Sequence, residues 1–113
     1  MKNRITQQDI DDNIESTEIV KHVTKSGKIL RWAILNTKNG YSVAGRPSAS
    51  IDAENDNPEL GEQIAINNSK NEMWPLMGYN LSQEIYDNKI GLQYLKEITT
   101  DYNDSTIEFV GNI

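Results

Sequence analysis

The chain has 113 residues, which suits one domain over residues 1–113, and 36% of them are hydrophobic, which limits the core that this domain can build. It has no cysteine, so disulfides, thiolate metal sites and cysteine nucleophiles are excluded. The net charge of −6 divides into +2 over residues 1–45 and −8 over residues 46–113, and such an acidic chain repels the phosphates of nucleic acids. The longest apolar run, Trp32 to Leu35, is too short to cross a membrane.

A short amphipathic helix is predicted near the N-terminus, from about residue 7 to residue 16. Thr6 suits the N-cap position, and Asp9 lies three residues later, where its carboxylate can accept a hydrogen bond from the backbone of Thr6. Ile10 and Ile14 lie about one turn apart, so they share one face of this predicted helix.

Strands and a hairpin are predicted next. From Glu18 onward the residues alternate in steps of two, as in a half-buried strand. The strongest strand pattern covers Ile29–Thr37, in which odd-numbered and even-numbered residues face opposite sides. The dipeptide Asn39-Gly40 follows and favours a tight hairpin turn, so Tyr41–Gly45 is predicted as the returning strand.

A polar segment over residues 46–57 is predicted as a loop, because a proline and several serines prevent the strand from continuing. A second helix then begins, with Asn57 as its N-cap and Pro58 in the first helical position. Leu60 and Ile64 lie one turn apart and are predicted to begin the buried stripe of this helix, which Ala65 and Met73 widen.

The second helix is predicted to end or kink near Met73, because Pro75 lacks the amide donor of the helical ladder and Gly78 favours a stop. The pattern then favours a short third helix over about residues 91–99 and a weak edge strand over Thr106–Val110. Together these elements predict an α+β fold, in which an antiparallel β-hairpin or three-stranded sheet is packed by two or three helices on one face.

Four short segments combine aromatic, proline and glycine residues: Asn39-Gly40-Tyr41, Asn57-Pro58-Glu59-Leu60-Gly61, Trp74-Pro75-Leu76 and Gly78-Tyr79-Asn80-Leu81. In this order they resemble a family of small tailed-phage proteins that is known by gene number, as gene product 49 or gene 66. The resemblance covers about residues 4–83, and residues 84–113 are predicted to be an extension. It implies a phage or prophage origin and expression in the cytoplasm of the bacterial host, without a catalytic activity, cofactor or site.

The side chains do not favour catalysis. His22 is the only histidine, so neither a catalytic triad nor a histidine-rich metal site is expected. The acidic segment Asp52–Asn57 lacks the central glycine and the closing glutamate of a calcium-binding EF-hand loop. We therefore expect no catalytic residue, no metal site and no cofactor, and we interpret the chain as a binding protein rather than an enzyme.

Aromatic and basic residues are the candidates for a binding surface, because aromatic and arginine side chains dominate the binding energy of protein interfaces. The candidates are Arg31, Trp32, Tyr41, Arg46, Trp74 and Tyr79. Trp74 and Tyr79 belong to a compact corner with two interpretations, a core plug that closes the helix over the hairpin or an exposed binding surface.

Three functions are compatible with these residues. The first is a phage accessory protein that binds and modulates a host protein, such as a component of a defence system. The alternative is an oligomeric sponge for a small nucleotide signal, whose pocket would be lined by Arg31, Trp32, Tyr41 and Arg46, and a limited core favours such a homo-oligomer. An RNA-binding module is less expected, because the second helix starts with acidic residues such as Glu59.

Overall fold

A computed structural model of the protein describes the backbone of residues 3–102 and the side chains of residues 3–93. Its elements, in chain order, are α1 (Gln7–Asp12), β1 (Ile14–Val23), β2 (Ile29–Thr37), β3 (Ser42–Ala44), β4 (Ser48–Ser50) and α2 (Pro58–Tyr102). The predicted α+β fold is confirmed, since four antiparallel strands form one sheet against which a short and a long helix pack. The strand predicted at Thr106–Val110 lies outside the described residues.

The chain divides into two compact units. The first, Ile5–Met77, contains α1, the sheet and the first part of α2. The second combines Met1–Arg4 with Gly78–Ile113, and its described part is helical from Gly78 to Tyr102. In the part of the chain that the structure describes, no helix is long and apolar enough to cross a membrane. The single domain predicted for residues 1–113 stays a prediction.

β2 is the central strand of the sheet, and its predicted bounds are confirmed. β1 pairs antiparallel with the whole of β2, with a bulge between Ile14 and Ser16. The other edge of β2 is shared, because β3 pairs with residues 34–36 and β4 pairs with residues 29–31. The loop predicted over residues 46–57 is therefore wrong in part: after β3 ends, the chain returns to the stretch of β2 that β3 leaves unpaired.

The hairpin predicted at Asn39-Gly40 is confirmed. Thr37 N donates to Tyr41 O at 2.8 Å, and Gly40 N donates to Thr37 O at 2.9 Å. Gly40 has a φ of 87°, in the left-handed region that favours glycine. Asn39 Oδ1 accepts bonds from Thr37 Oγ1 and Tyr41 N. These turn contacts set the register in which β3 meets β2.

α1 is shorter than predicted. Its capping box is confirmed, since Asp9 N donates to Thr6 Oγ1 at 3.2 Å and Thr6 N donates to Asp9 Oδ2 at 2.8 Å. The helix nevertheless ends at Asp12, about one turn early, and β1 begins at Ile14 instead of Glu18. The reason is tertiary, because the pairing of β1 with β2 reaches back to Ile14 and replaces the last predicted helical turn with strand pairing.

α2 does not end near Met73, as predicted, but continues through Pro75 and Gly78 as one helix. The proline removes one hydrogen bond, the bond that its amide would donate to the carbonyl of Asn71. Asn71 and Pro75 are both exposed, so water can take the place of the lost donor and the helix can continue. The third helix predicted over residues 91–99 is part of α2.

The buried face of α2 differs in part from the prediction, since Ala65 and Met73 are buried as expected but the residues predicted to begin the stripe are not. Leu60 and Ile64, predicted to begin this face, are 57% and 42% exposed. The buried stripe consists of Gly61, Ala65, Ser69 and Met73. Small residues lie on this stripe because the helix comes very close to the sheet: a Cβ added to Gly61 would lie 3.0 Å from Arg31 Nη1. Hydrophobic periodicity alone does not include Gly61 and Ser69 in this stripe.

Ser69 connects α2 to the sheet at the point where β3 has ended and β4 has not begun. Its hydroxyl donates to Ala33 O at 2.6 Å and accepts from Gly45 N at 2.9 Å. The register that pairs Leu35 with Val43 brings Ala33 opposite Gly45. The serine hydroxyl therefore takes the place of a backbone hydrogen bond between the two strands.

Candidate functional site

Arg31 and Trp32, two predicted binding residues, lie on opposite faces of β2 because successive side chains of a strand alternate. Arg31 is 3% exposed on the face that meets the helices. Its Nη1 and Nη2 atoms each donate to a carboxylate oxygen of Asp56 at 2.7 Å. Trp32 is half-buried on the other face, so the structure does not bring these two side chains into one pocket.

The Arg31–Asp56 pair links the central strand to the segment that precedes α2. Asp56 Oδ1 also accepts a bond from Ser50 Oγ at 2.6 Å. The Arg31 guanidinium, helped by the Ser50 hydroxyl, holds the pKa of Asp56 well below its usual range, and Asp56 in turn raises the pKa of Arg31. These contacts give Arg31 a structural role, and its predicted role in binding stays a prediction.

An open groove, the β3 groove, lies between β3 and α2. It has a volume of about 350 Å³ and is lined by Tyr41, Ser42, Val43, Ala44, Glu72, Pro75 and Leu76. Tyr41 is 58% exposed and Leu76 is 46% exposed, so two large side chains that can bury apolar surface stand open to solvent at this groove. Tyr41 is the one predicted binding residue that lines it.

The β3 groove also contains an open strand edge. The bond from Thr37 N to Tyr41 O marks a hydrogen-bonded pair, and alternation then directs the backbone groups of Val43 toward β2. The backbone groups of Ser42 and Ala44 point the other way, and both residues line the groove. Among the described residues, no strand pairs with this edge of β3. Such an edge can accept an added strand from another chain.

The other predicted binding residues lie elsewhere. Arg46 is exposed, and its carbonyl accepts a bond from Asn68 Nδ2 at 3.1 Å. Trp74 is half-buried and packs against the core cluster of Ile10, Leu35, Val43 and Met73, as the core-plug interpretation describes. Tyr79 is 74% exposed and belongs to the second compact unit. The roles of these residues in binding stay predictions.

Glu72 gives the β3 groove its negative charge. Apart from the phenol of Tyr41, no other side chain that lines the groove is ionisable. A carboxylate in this position favours a cationic group on a ligand and disfavours a phosphate. Sequence reasoning missed Glu72, since helical periodicity does not indicate which exposed residue of a helix comes close to a strand edge. Within residues 3–93, no group of three or more acidic or histidine side chains could hold a metal ion.

The described elements define a small α+β protein in which the first part of a long helix packs on one face of a four-stranded antiparallel sheet. Residues 5–85 match the model of the phage protein (N4 Gp49/phage Sf6 gene 66) family. Because the match spans more than half of the chain, the chain belongs to this family, and the resemblance predicted over about residues 4–83 is confirmed. No curated protein and no solved structure matches the chain significantly.

Proposed function

We propose that this phage protein is an accessory protein that acts in the host cytoplasm by binding a host protein, without catalysing a reaction. The observation that carries the proposal is the β3 groove, in which exposed Tyr41 and Leu76 side chains lie beside a strand edge that no described strand pairs with. Aromatic and apolar anchors provide binding energy at protein interfaces, and a strand edge provides main-chain hydrogen bonds. The groove therefore favours an extended segment of a partner protein, and a component of a host defence system is a candidate.

The charge of the groove favours this partner over a nucleotide. Glu72 attracts a basic side chain of the bound segment and repels phosphate. Within one chain, the four residues expected to line a nucleotide pocket do not come together, because Arg31 and Trp32 lie on opposite faces of β2. The alternative function is a nucleotide sponge. A thermal-shift screen would support it if a nucleotide raised the melting temperature of the protein and no host protein were captured.

Leu76→Gln tests the groove against a matched control on the same helix, Leu60→Gln. Both leucines are exposed on α2, at 46% and 57%, but only Leu76 lines the β3 groove. We expect tagged wild-type protein and Leu60→Gln to capture the same host protein from lysate. We expect Leu76→Gln to bind it at least about tenfold more weakly, which is the usual effect of truncating an apolar anchor.

The readout is quantitative mass spectrometry of the captured proteins, followed by titration of the purified partner. Equal binding by Leu76→Gln and wild type would contradict the assignment of the β3 groove. The absence of any host protein enriched over an unrelated acidic control protein would contradict the proposed function itself.

A further inference from the structure

β1 is a ten-residue strand at one end of the described sheet, and its second edge pairs with no described residue. The phase of its hydrogen bonds shows which backbone groups this edge presents. Thr24 N donates to Lys28 O at 2.8 Å, which marks a hydrogen-bonded pair just beyond the end of β1. Because such pairs alternate, His22, Val20 and Glu18 direct their backbone groups toward β2.

Two hydrogen bonds near the other end of β2 confirm this alternation of inward-facing and outward-facing backbone groups. Lys38 N donates to Asn13 O at 3.1 Å, on the side of β1, and Thr37 N donates to Tyr41 O at 2.8 Å, on the side of β3. The N–H and C=O groups of the β1 residues that alternate with Glu18, Val20 and His22 therefore face outward, along an edge that pairs with no described strand. These residues are Thr17, Ile19, Lys21 and Val23.

We propose that this edge pairs antiparallel with the β1 edge of a second copy of the chain, about a two-fold axis at Val20. The two four-stranded sheets then join into one. Val20, which is 45% exposed, meets its counterpart, and each His22 lies opposite the Glu18 of the other copy. The outward-facing residues form the hydrogen-bonded pairs, so the even-numbered residues form the non-hydrogen-bonded pairs, in which side chains come closest.

Hydrogen-bond complementarity selects this register, because an imidazole N–H of His22 can donate to the Glu18 carboxylate of the other copy. An axis at Glu18, Lys21 or His22 would place two identical titratable side chains opposite each other. An axis at Ile19 would set the Glu18 carboxylate against the Val20 side chain of the other copy. Only the axis at Val20, among these central positions of β1, gives each carboxylate an imidazole partner. Glu18 is already oriented on this face, since its Oε2 accepts a bond from Asn36 Nδ2 at 2.8 Å.

A charge exchange tests the register. We expect the full-length chain to be a dimer by light scattering coupled to gel filtration, and His22→Glu to raise the dimer dissociation constant at least about tenfold by placing carboxylates opposite each other. Adding Glu18→Lys to His22→Glu places a lysine opposite each new carboxylate and should restore the dimer. Lys38→Gln makes a comparable change of net charge in the exposed turn after β2 and should leave the dimer intact.

A main-chain test does not depend on charge. Lys21→Pro removes an amide that points away from β2, so the chain should keep its far-ultraviolet circular dichroism and become monomeric, whereas Lys21→Gln should stay dimeric. A wild-type monomer, a dimer that survives Lys21→Pro, or a charge exchange that fails to restore the dimer would each overturn the proposal. β1 and β3 flank opposite edges of β2, so these outcomes are independent of capture at the β3 groove.

Discussion

Replacing Arg31 with alanine is expected to lower the free energy of unfolding more than the loss of any exposed ion pair of this protein would, because it removes the cationic partner of a carboxylate that has little access to water. The side chains of Arg31 and Asp56 are 4% and 8% exposed. The matched control is Lys70→Ala, which breaks an exposed pair with Asp11 whose side chains are 26% and 41% exposed. We expect a much smaller loss there, since water screens such pairs. Urea unfolding measures both losses, and losses of equal size would contradict the prediction.

The wild-type protein and Arg31→Ala should also differ in how their stability depends on pH. Arg31 holds the pKa of Asp56 well below the usual aspartate value of about 3.9. A carboxyl group with a lowered folded-state pKa stabilises the folded protein above its unfolded pKa, and this contribution is lost as pH falls toward the folded pKa. The unfolding free energies of wild type and Arg31→Ala should therefore converge as the pH falls below about 4. A difference that stays constant down to about pH 2 would show that the ion pair is not its cause.

Gly45→Ala is the second substitution with a large expected effect, a loss of about 3 kcal/mol at the upper end of the usual range for overpacking. A Cβ at this position would overlap Asn68 O, and it would lie 2.6 Å from Asn68 C and 2.9 Å from Ser69 N. All three are backbone atoms of α2, so no side chain can rotate away to make room. The helix would have to move, which would also disturb the hydrogen bonds of Ser69.

Gly78→Ala provides the control for this substitution. Gly78 is also a glycine of the described chain, but a Cβ there meets no described atom within 4 Å. Because it lies inside α2, alanine should stabilise the protein by about 0.5–1 kcal/mol. Urea unfolding should thus show opposite signs for the two glycines, and a Gly45→Ala protein as stable as wild type would contradict the close approach of α2 to the sheet.

Short-range signals predicted the beginnings of helices and the hairpin turn well. The capping box of Thr6 and Asp9 and the Asn57 cap, whose Oδ1 accepts a bond from Leu60 N at 3.2 Å, each involve residues three apart. Asn39-Gly40 also acts locally, through the φ of one glycine. These features are predictable because the residues that decide them are neighbours in the chain.

Features that depend on distant residues were not predictable from periodicity. β4 forms because the first residues of β2 would otherwise lack a partner on one edge. The serines of β4 give no local signal of this pairing. The buried stripe of α2 begins with the small residues Gly61, Ala65 and Ser69, because the short distance between helix and sheet leaves no room for larger side chains there. Arg31 on the buried face of a strand indicates a carboxylate partner, but the choice of Asp56 among several acids of the following segment is made in three dimensions.

Ser69 also affects how the folded protein opens locally during hydrogen exchange. The Gly45 amide proton is held by a side chain of α2 and not by a neighbouring strand. Its exchange with deuterium therefore requires the helix to leave the sheet, and unzipping of the β2–β3 hairpin alone is not sufficient. We expect this single amide to exchange far faster in Ser69→Ala while the amides of the hairpin turn keep their wild-type protection, so that NMR at one position follows the departure of a helix from the fold.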